Sequence, residues 1–175
     1  MVKKIIVCLI IVCLIIFSLI MFSYKSCFVK HRAKKFVDKY EFEDFSQFKN
    51  VCIFIRGFDE EKNPIIMIDA PYWIKDTNVG LYVVRLNKKN YRIIETGWTW
   101  KKSKIADADT IKLQRLAQAF IKYKIPRLDV DTAENVFVYI GDPETLVLTR
   151  FADNNELLKH CDMWKKFKGN WYKPK

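Results

Sequence analysis

The stretch that decides the fold class is "NVFVYIGDPETLVLTRF", residues 135–151. Two runs rich in β-branched and aromatic residues flank Gly141-Asp142-Pro143-Glu144, and Asp followed by Pro suits the first two positions of a type I turn. The segment reads as a β-hairpin. Val136 to Ile140 show little polar alternation, which predicts a central strand covered on both faces.

Working outward, the residues before this hairpin change period. In "ADADTIKLQRLAQAFIKYKIP", residues 106–126, Leu113, Leu116, Ala117 and Phe120 recur at helical spacing. Asp107 or Asp109 can cap the start, and Pro126 stops the helix soon after its end. Further upstream, "VCIFIRGF" (51–58) and "IIMIDA" (65–70) flank the polar loop "DEEKNP", and "GLYVVRL" (80–86) and "YRIIETGW" (91–98) flank "NKKN". Both connections carry turn chemistry. Downstream, "DNNELLKHCDMWKKFKGNWYKPK" (153–175) reads as a capped helix lasting until Gly169, with Trp164 and Phe167 on its inner side. No internal repeat stands out. The expected fold class is α+β: an N-terminal transmembrane helix, then a small domain with an antiparallel sheet of about six strands in three hairpins and helices packed on one face.

The start of the chain is of a different kind. Ile5 to Phe22 carries no charge, and Ser18 is its one polar residue. As a helix this run measures roughly 27 Å, close to the hydrocarbon thickness of a bilayer. It exceeds the apolar core of a secretory signal and lacks small residues where a peptidase would cut. Cys27 has Ser26 before it but Lys25 and Tyr24 further back, which is not a lipoprotein pattern. The expected organisation is a cytoplasmic n-region at 1–4, a membrane anchor at 5–24 contacting the lipid bilayer, a charged stem at 25–49 and the α+β domain at 50–175. Phe36, Val37 and Tyr40 share one helical face of that stem.

The net charge of +11 suggests nucleic acid, but its distribution does not. Residues 1–35 hold seven basic groups and no acids, and residues 159–175 hold six lysines and one acid. Residues 36–158 hold 18 basic and 19 acidic groups, so the middle of the chain is nearly neutral. Phosphate-backbone binding needs a concentrated basic face. Basic chain ends suit a membrane surface better, and no nucleic-acid partner is expected. Lys3 and Lys4 favour a single-pass protein of the bacterial inner (cell) membrane with its domain exported. The five cations from Lys25 to Lys35 favour a cytoplasmic domain instead.

Motifs for chemistry are sparse. The two histidines, His31 and His160, lack ligand partners at metal-binding spacing, and the five glycines form no phosphate-cradling loop. No metal or cofactor is expected. Asp107-Ala-Asp109 and Asp129-Val-Asp131 have a spacing that can hold Mg²⁺, but they read better as a helix cap and a loop. His160 and Cys161, adjacent on a helix, point about 100° apart and form no dyad. Cys52 and Cys161 could pair as a disulfide in an exported domain, although two separate thiols is the plainer reading. Tyr72, Trp73, Trp98 and Trp100 follow strand ends, and Trp164 and Trp171 alternate with lysines in the tail. These six aromatics are the expected contacts to a partner. The expected function is a membrane-anchored domain that binds another protein, in a concrete version an inhibitor or immunity-type protein of the bacterial envelope. The alternatives are a membrane-tethered hydrolase using carboxylates such as Asp69 or Glu95, or a scaffolding subunit of a membrane complex.

Overall fold

The computed structural model describes residues 2–70, 81–98, 107–141 and 146–175. Helix α1 runs from Val2 to Tyr40 without a break. From Ala33 onward one face of it enters the core: Ala33, Phe36, Val37 and Tyr40 are buried, at the spacing that keeps successive turns on one side. Its earlier described side chains are different. Val12, Leu14, Ile15, Ile16 and Phe17 are each at least half exposed, on all sides of the helix. Among the described residues no helix is long and apolar enough to cross a membrane. That finding corrects the transmembrane helix in the expected fold class.

The sheet corrects the rest of that expectation. Among the described residues it has nine strands, not six, and all are antiparallel in one layer. In chain order they are β1 (Val51–Phe58), β2 (Pro64–Asp69), β3 (Tyr82–Leu86), β4 (Ile93–Trp98), β5 (Arg127–Val130), β6 (Val136–Tyr139), β7 (Val147–Arg150), β8 (Trp164–Lys168) and β9 (Trp171–Pro174). Their spatial order is β4-β3-β2-β1-β5-β6-β7-β9-β8. Helix α2 (Asp107–Ile121) returns the chain from edge strand β4 to a place beside β1. Four strand spacings are about 19 Å, and fifteen helical residues measure about 22 Å, so the helix is long enough to cross the sheet. Helix α3 (Asn154–His160) is short, with the Asp153 side chain accepting from the Glu156 backbone N–H as its cap.

Alternation along each strand separates the faces. Ile53, Ile66, Ile68, Val84, Leu128, Val130, Val136, Val138 and Leu148 are buried in one cluster with Leu113, Leu116 and Phe120 of α2 and with the end of α1. Strand β6 shows the pattern plainly: Val136 and Val138 are buried, while Phe137 and Tyr139 are half-buried on the other side. The strand is central, but its second face is only half-buried, not fully covered as the sequence suggested. The tail also differs. Residues 164–174 form the hairpin β8–β9 rather than the end of a helix, because Gly169, at φ +52°, turns the chain back. A side chain there would meet the Glu41 carboxylate, so glycine is required by backbone and by space.

The structure also shows a repeat that composition hides. The β1–β2 and β5–β6 loops are "DEEKN" and "DTAEN". In the first, Asp59 accepts from the backbone N–H of Asn63 at 2.8 Å and from its side-chain amide at 3.0 Å. In the second, Asp131 accepts the same two bonds from Asn135 at 2.8 and 2.9 Å. Lys62 and Glu134, at equivalent places, both have positive φ. The Asn63 side-chain oxygen accepts from Lys88 N–H, and that of Asn135 from Ala152 N–H, so each loop clasps the end of its third strand. The registers match as well: Ile65–Arg85, Ile66–Val84 and Met67–Val83 correspond to Phe137–Thr149, Val138–Leu148 and Tyr139–Val147. Two meanders therefore run outward in opposite directions from the antiparallel seam β1–β5, each preceded by a helix.

Candidate functional site: the face of the sheet opposite the helices

The face turned away from α1 and α2 carries side chains in rows across the strands. One row is Val83, Met67, Phe54, Arg127, Tyr139 and Val147, from β3 to β7. The next is Asp69, Cys52, Asp129, Phe137, Thr149 and Tyr172, from β2 to β9. At the β7–β9 end the face is partly closed. Phe151 stacks on His160 of α3 at 5.9 Å and meets Trp164 edge-on at 6.0 Å, and Trp164 reaches Phe137 at 6.4 Å. Thr149 lies fully buried there, and its hydroxyl has no hydrogen-bond partner among the described residues. From β3 to β6 the rows are partly exposed, except at Met67, which is buried.

Arg127 is the organising side chain of this partly exposed part. Its Nε and Nη2 bond the Asp129 carboxylate at 3.0 and 2.6 Å. Its guanidinium also lies 4.7 Å from the centre of the Tyr139 ring. The hydrogen bonds to Asp129 hold the guanidinium more firmly in its charged form, against the effect of burial. Burial first, then the Asp129 charge, keeps the Tyr139 phenol neutral. A planar cation fixed between a carboxylate and an aromatic ring is preorganised and loses little freedom on contact.

Beside it a shallow cleft of about 400 Å³ is lined by Cys52, Asp69, Asp129, Asp131, Phe137 and Tyr139, among others. Three carboxylates converge here, which the hydrolase alternative calls for. Two are already engaged: Asp129 by Arg127, and Asp131 by both donors of Asn135. Glu95 lies elsewhere, exposed on β4 and paired with Arg85 at 2.9 Å. Among the described residues no group of histidine, cysteine or carboxylate side chains could hold a metal ion.

Burial, and next the neighbouring Asp129 carboxylate, push the Cys52 thiol up to about 12. It is thus a poor nucleophile near neutral pH. Cys52 and Cys161 are both free thiols. At mildly alkaline pH an alkylating reagent should label exposed Cys161 quickly and leave Cys52 unmodified until the protein unfolds. Mass spectrometry of the labelled peptides checks this, and equal rates would contradict the placement. Up to the ordinary thiol value of 9.0 both states keep the proton, whereas between 9.0 and about 12 only the unfolded state releases it. Stability falls across that window.

Of the six aromatics expected to meet a partner, the structure gathers few. Trp164 sits at the closed end of this face, half-buried. Trp171 points to the helical side and is fully buried. Tyr72, Trp73 and Trp100 lie outside the described residues, as does the turn at 142–145, and for Trp98 only the backbone is described. The residues that sequence reasoning missed are Phe54, Arg127 and Tyr139. Their signal is the pairing of short β5 with β1 and β6, which no local pattern reveals. Arg150 was also missed. It lies 5.0 Å from the Phe45 ring centre and 5.6 Å from that of Trp171, and it donates to the Glu41 carbonyl at 3.1 Å. No protein-family model, no curated protein and no solved structure matches this chain.

Proposed function

We propose that this chain is a binding module held at a membrane, and that its partner, another protein, docks on the partly exposed sheet face around Phe54, Arg127 and Tyr139. The observation that carries the reading is Arg127, fixed between Asp129 and Tyr139 on a partly exposed face. Tyr and Arg in preformed, partly desolvated settings are the residues that dominate protein–protein binding energy. Engaged carboxylates and a protonated thiol favour binding over catalysis. Attachment to a lipid bilayer is supported by the charge-free run from Ile5 to Phe22 and by the exposed apolar side chains around α1. The bacterial inner membrane, with the domain exported, is the proposed location, and an envelope inhibitor or immunity-type role is the concrete version.

A photo-reactive phenylalanine analogue at position 54, in cells expressing the full chain, should give one discrete adduct. Arg127→Ala combined with Tyr139→Ala should remove it. The same analogue at exposed Tyr91, on the β3–β4 turn, should give none. No adduct at position 54, or the same adduct from position 91, overturns the proposed face. Flotation with neutral phosphatidylcholine vesicles tests the attachment separately: a chain that stays at the bottom of the gradient overturns it.

A further inference from the structure

One end of the domain collects cations from three distant segments. A cleft of about 290 Å³ between the ends of α1 and α2 is lined by Arg32, Lys35, Lys39, Lys122 and Lys124 together with apolar side chains. A second cleft of about 400 Å³ shares Arg32 and Lys124 and adds Arg56 and Phe58. No carboxylate lines either cleft among the described residues. Arg32 ties the segments together by donating to the Lys124 carbonyl at 3.0 Å. Lys122 is paired with Glu43 at 2.7 Å, whereas Lys35, Arg56 and Lys124 have no ion pair among the described residues. Two large apolar side chains stand out around this end: Phe58 is 63% exposed and Phe28 is 51% exposed, with the Arg32 guanidinium 5.9 Å from the latter's ring centre.

We propose that this cationic end is a second binding surface, and that it docks on the acidic phospholipid headgroups of the membrane. The proposal rests on the reading that residues 5–24 associate with a bilayer. Arg32 follows Phe22 by ten residues on one unbroken helix, a rise of about 15 Å. Acidic headgroups attract cations held within about one Debye length of them, and the Arg32 cluster lies on the helix that carries the apolar run. Cations around projecting aromatic side chains match an anionic interface, where the rings enter the boundary and the charges pair with phosphates. Lys39, Arg56, Lys122 and Lys124 come from residues 36–158, which are nearly neutral in total, so the fold is what brings them beside Arg32 and Lys35. Docking there would hold the domain in one orientation on the bilayer and fix where the Arg127 face points.

The test is thermal unfolding of the full chain in neutral detergent micelles, followed by circular dichroism. Phosphatidylglycerol, phosphatidylcholine and inorganic phosphate are added in separate arms. Phosphatidylglycerol should raise the midpoint by several degrees, and the other two should leave it unchanged. Lys35→Glu, Arg56→Glu and Lys124→Glu together should abolish the rise while leaving the midpoint in phosphatidylcholine at the wild-type value. Equal shifts with both lipids overturn the proposal, as does a full response in the triple variant. A shift with inorganic phosphate equal to that with phosphatidylglycerol assigns the site to free anions and overturns the bilayer as occupant. If the triple variant unfolds early, salt decides on the wild type. At about 1 M NaCl the Debye length is about 3 Å, and the lipid-specific rise should vanish. A rise that survives overturns the proposal. Flotation with neutral vesicles does not involve these cations, so failure of the anchoring reading is seen separately.

Discussion

Trp171→Ala should lower the stability of the fold by about 4 kcal/mol, the usual cost of deleting a fully buried large aromatic side chain. Trp171 is wholly inaccessible and meets Phe36 edge-on at 5.6 Å and Phe45 at 6.2 Å. It thereby joins the last strand to the end of α1. Strand β9 is otherwise joined to β7 through a single residue pair, Thr149 with Tyr172. Losing the indole should release the β8–β9 hairpin before the rest of the sheet, and amide exchange in residues 164–174 should rise first. Urea unfolding followed by far-UV circular dichroism measures the global loss. Trp164→Ala, half-buried on the opposite face, is the control and should cost about 1 kcal/mol, since less apolar area is removed from contact. A Trp171→Ala loss no larger than the control would refute the central place given to this side chain.

The second large effect concerns the repeated loops. Asn63 and Asn135 are almost completely buried, and each bonds a clasped backbone N–H and two carboxylates. Replacing either with alanine removes three hydrogen bonds and leaves a backbone donor without its acceptor. At about 1.5–3 kcal/mol for a bond to a charged group, partly offset by water reaching the carboxylates, each substitution should cost about 3 kcal/mol. Because the two clasps have the same geometry, the two losses should agree within about 1 kcal/mol. Aspartate at either position should be worse than alanine, because it sets a third carboxylate against the two already there. Chemical unfolding of the paired variants decides this. One large loss and one negligible loss would show that the two loops are alike in shape but not in energetic role.

The parts of this fold that were legible in the sequence are the local ones. "DEEKN" and "NKKN" mark turns through Asn and Asp chemistry, and the 3.6-residue period of Leu113, Leu116, Ala117 and Phe120 marks α2 because one helix face buries against the sheet. What was missed depends on partners distant in sequence. Strand β5 is four residues, Arg127–Val130, two of them charged, and reads as a loop until β1 and β6 are beside it. Trp164 and Phe167 fit a helical stripe equally well, and only Gly169 and the pairing of residues 164–168 with 171–174 make them a hairpin. The repeat escaped notice because it is carried by two residues, Asp and Asn four apart, while the strands around them share only their burial pattern. The site was less legible than the fold for the same reason: Phe54, Arg127 and Tyr139 come from three strands and converge only through register.

The seam between β1 and β5 has a consequence for synthesis. Val51 pairs with Val130, 79 residues later in the chain. At about 5–20 residues per second, β1 waits roughly 4–16 seconds after it is made before its partner exists. During that interval "VCIFIRGF" is the exposed edge of a half-built sheet, apolar and open to pairing with any extended chain nearby. The nascent first meander is therefore the form of this protein most in need of a chaperone.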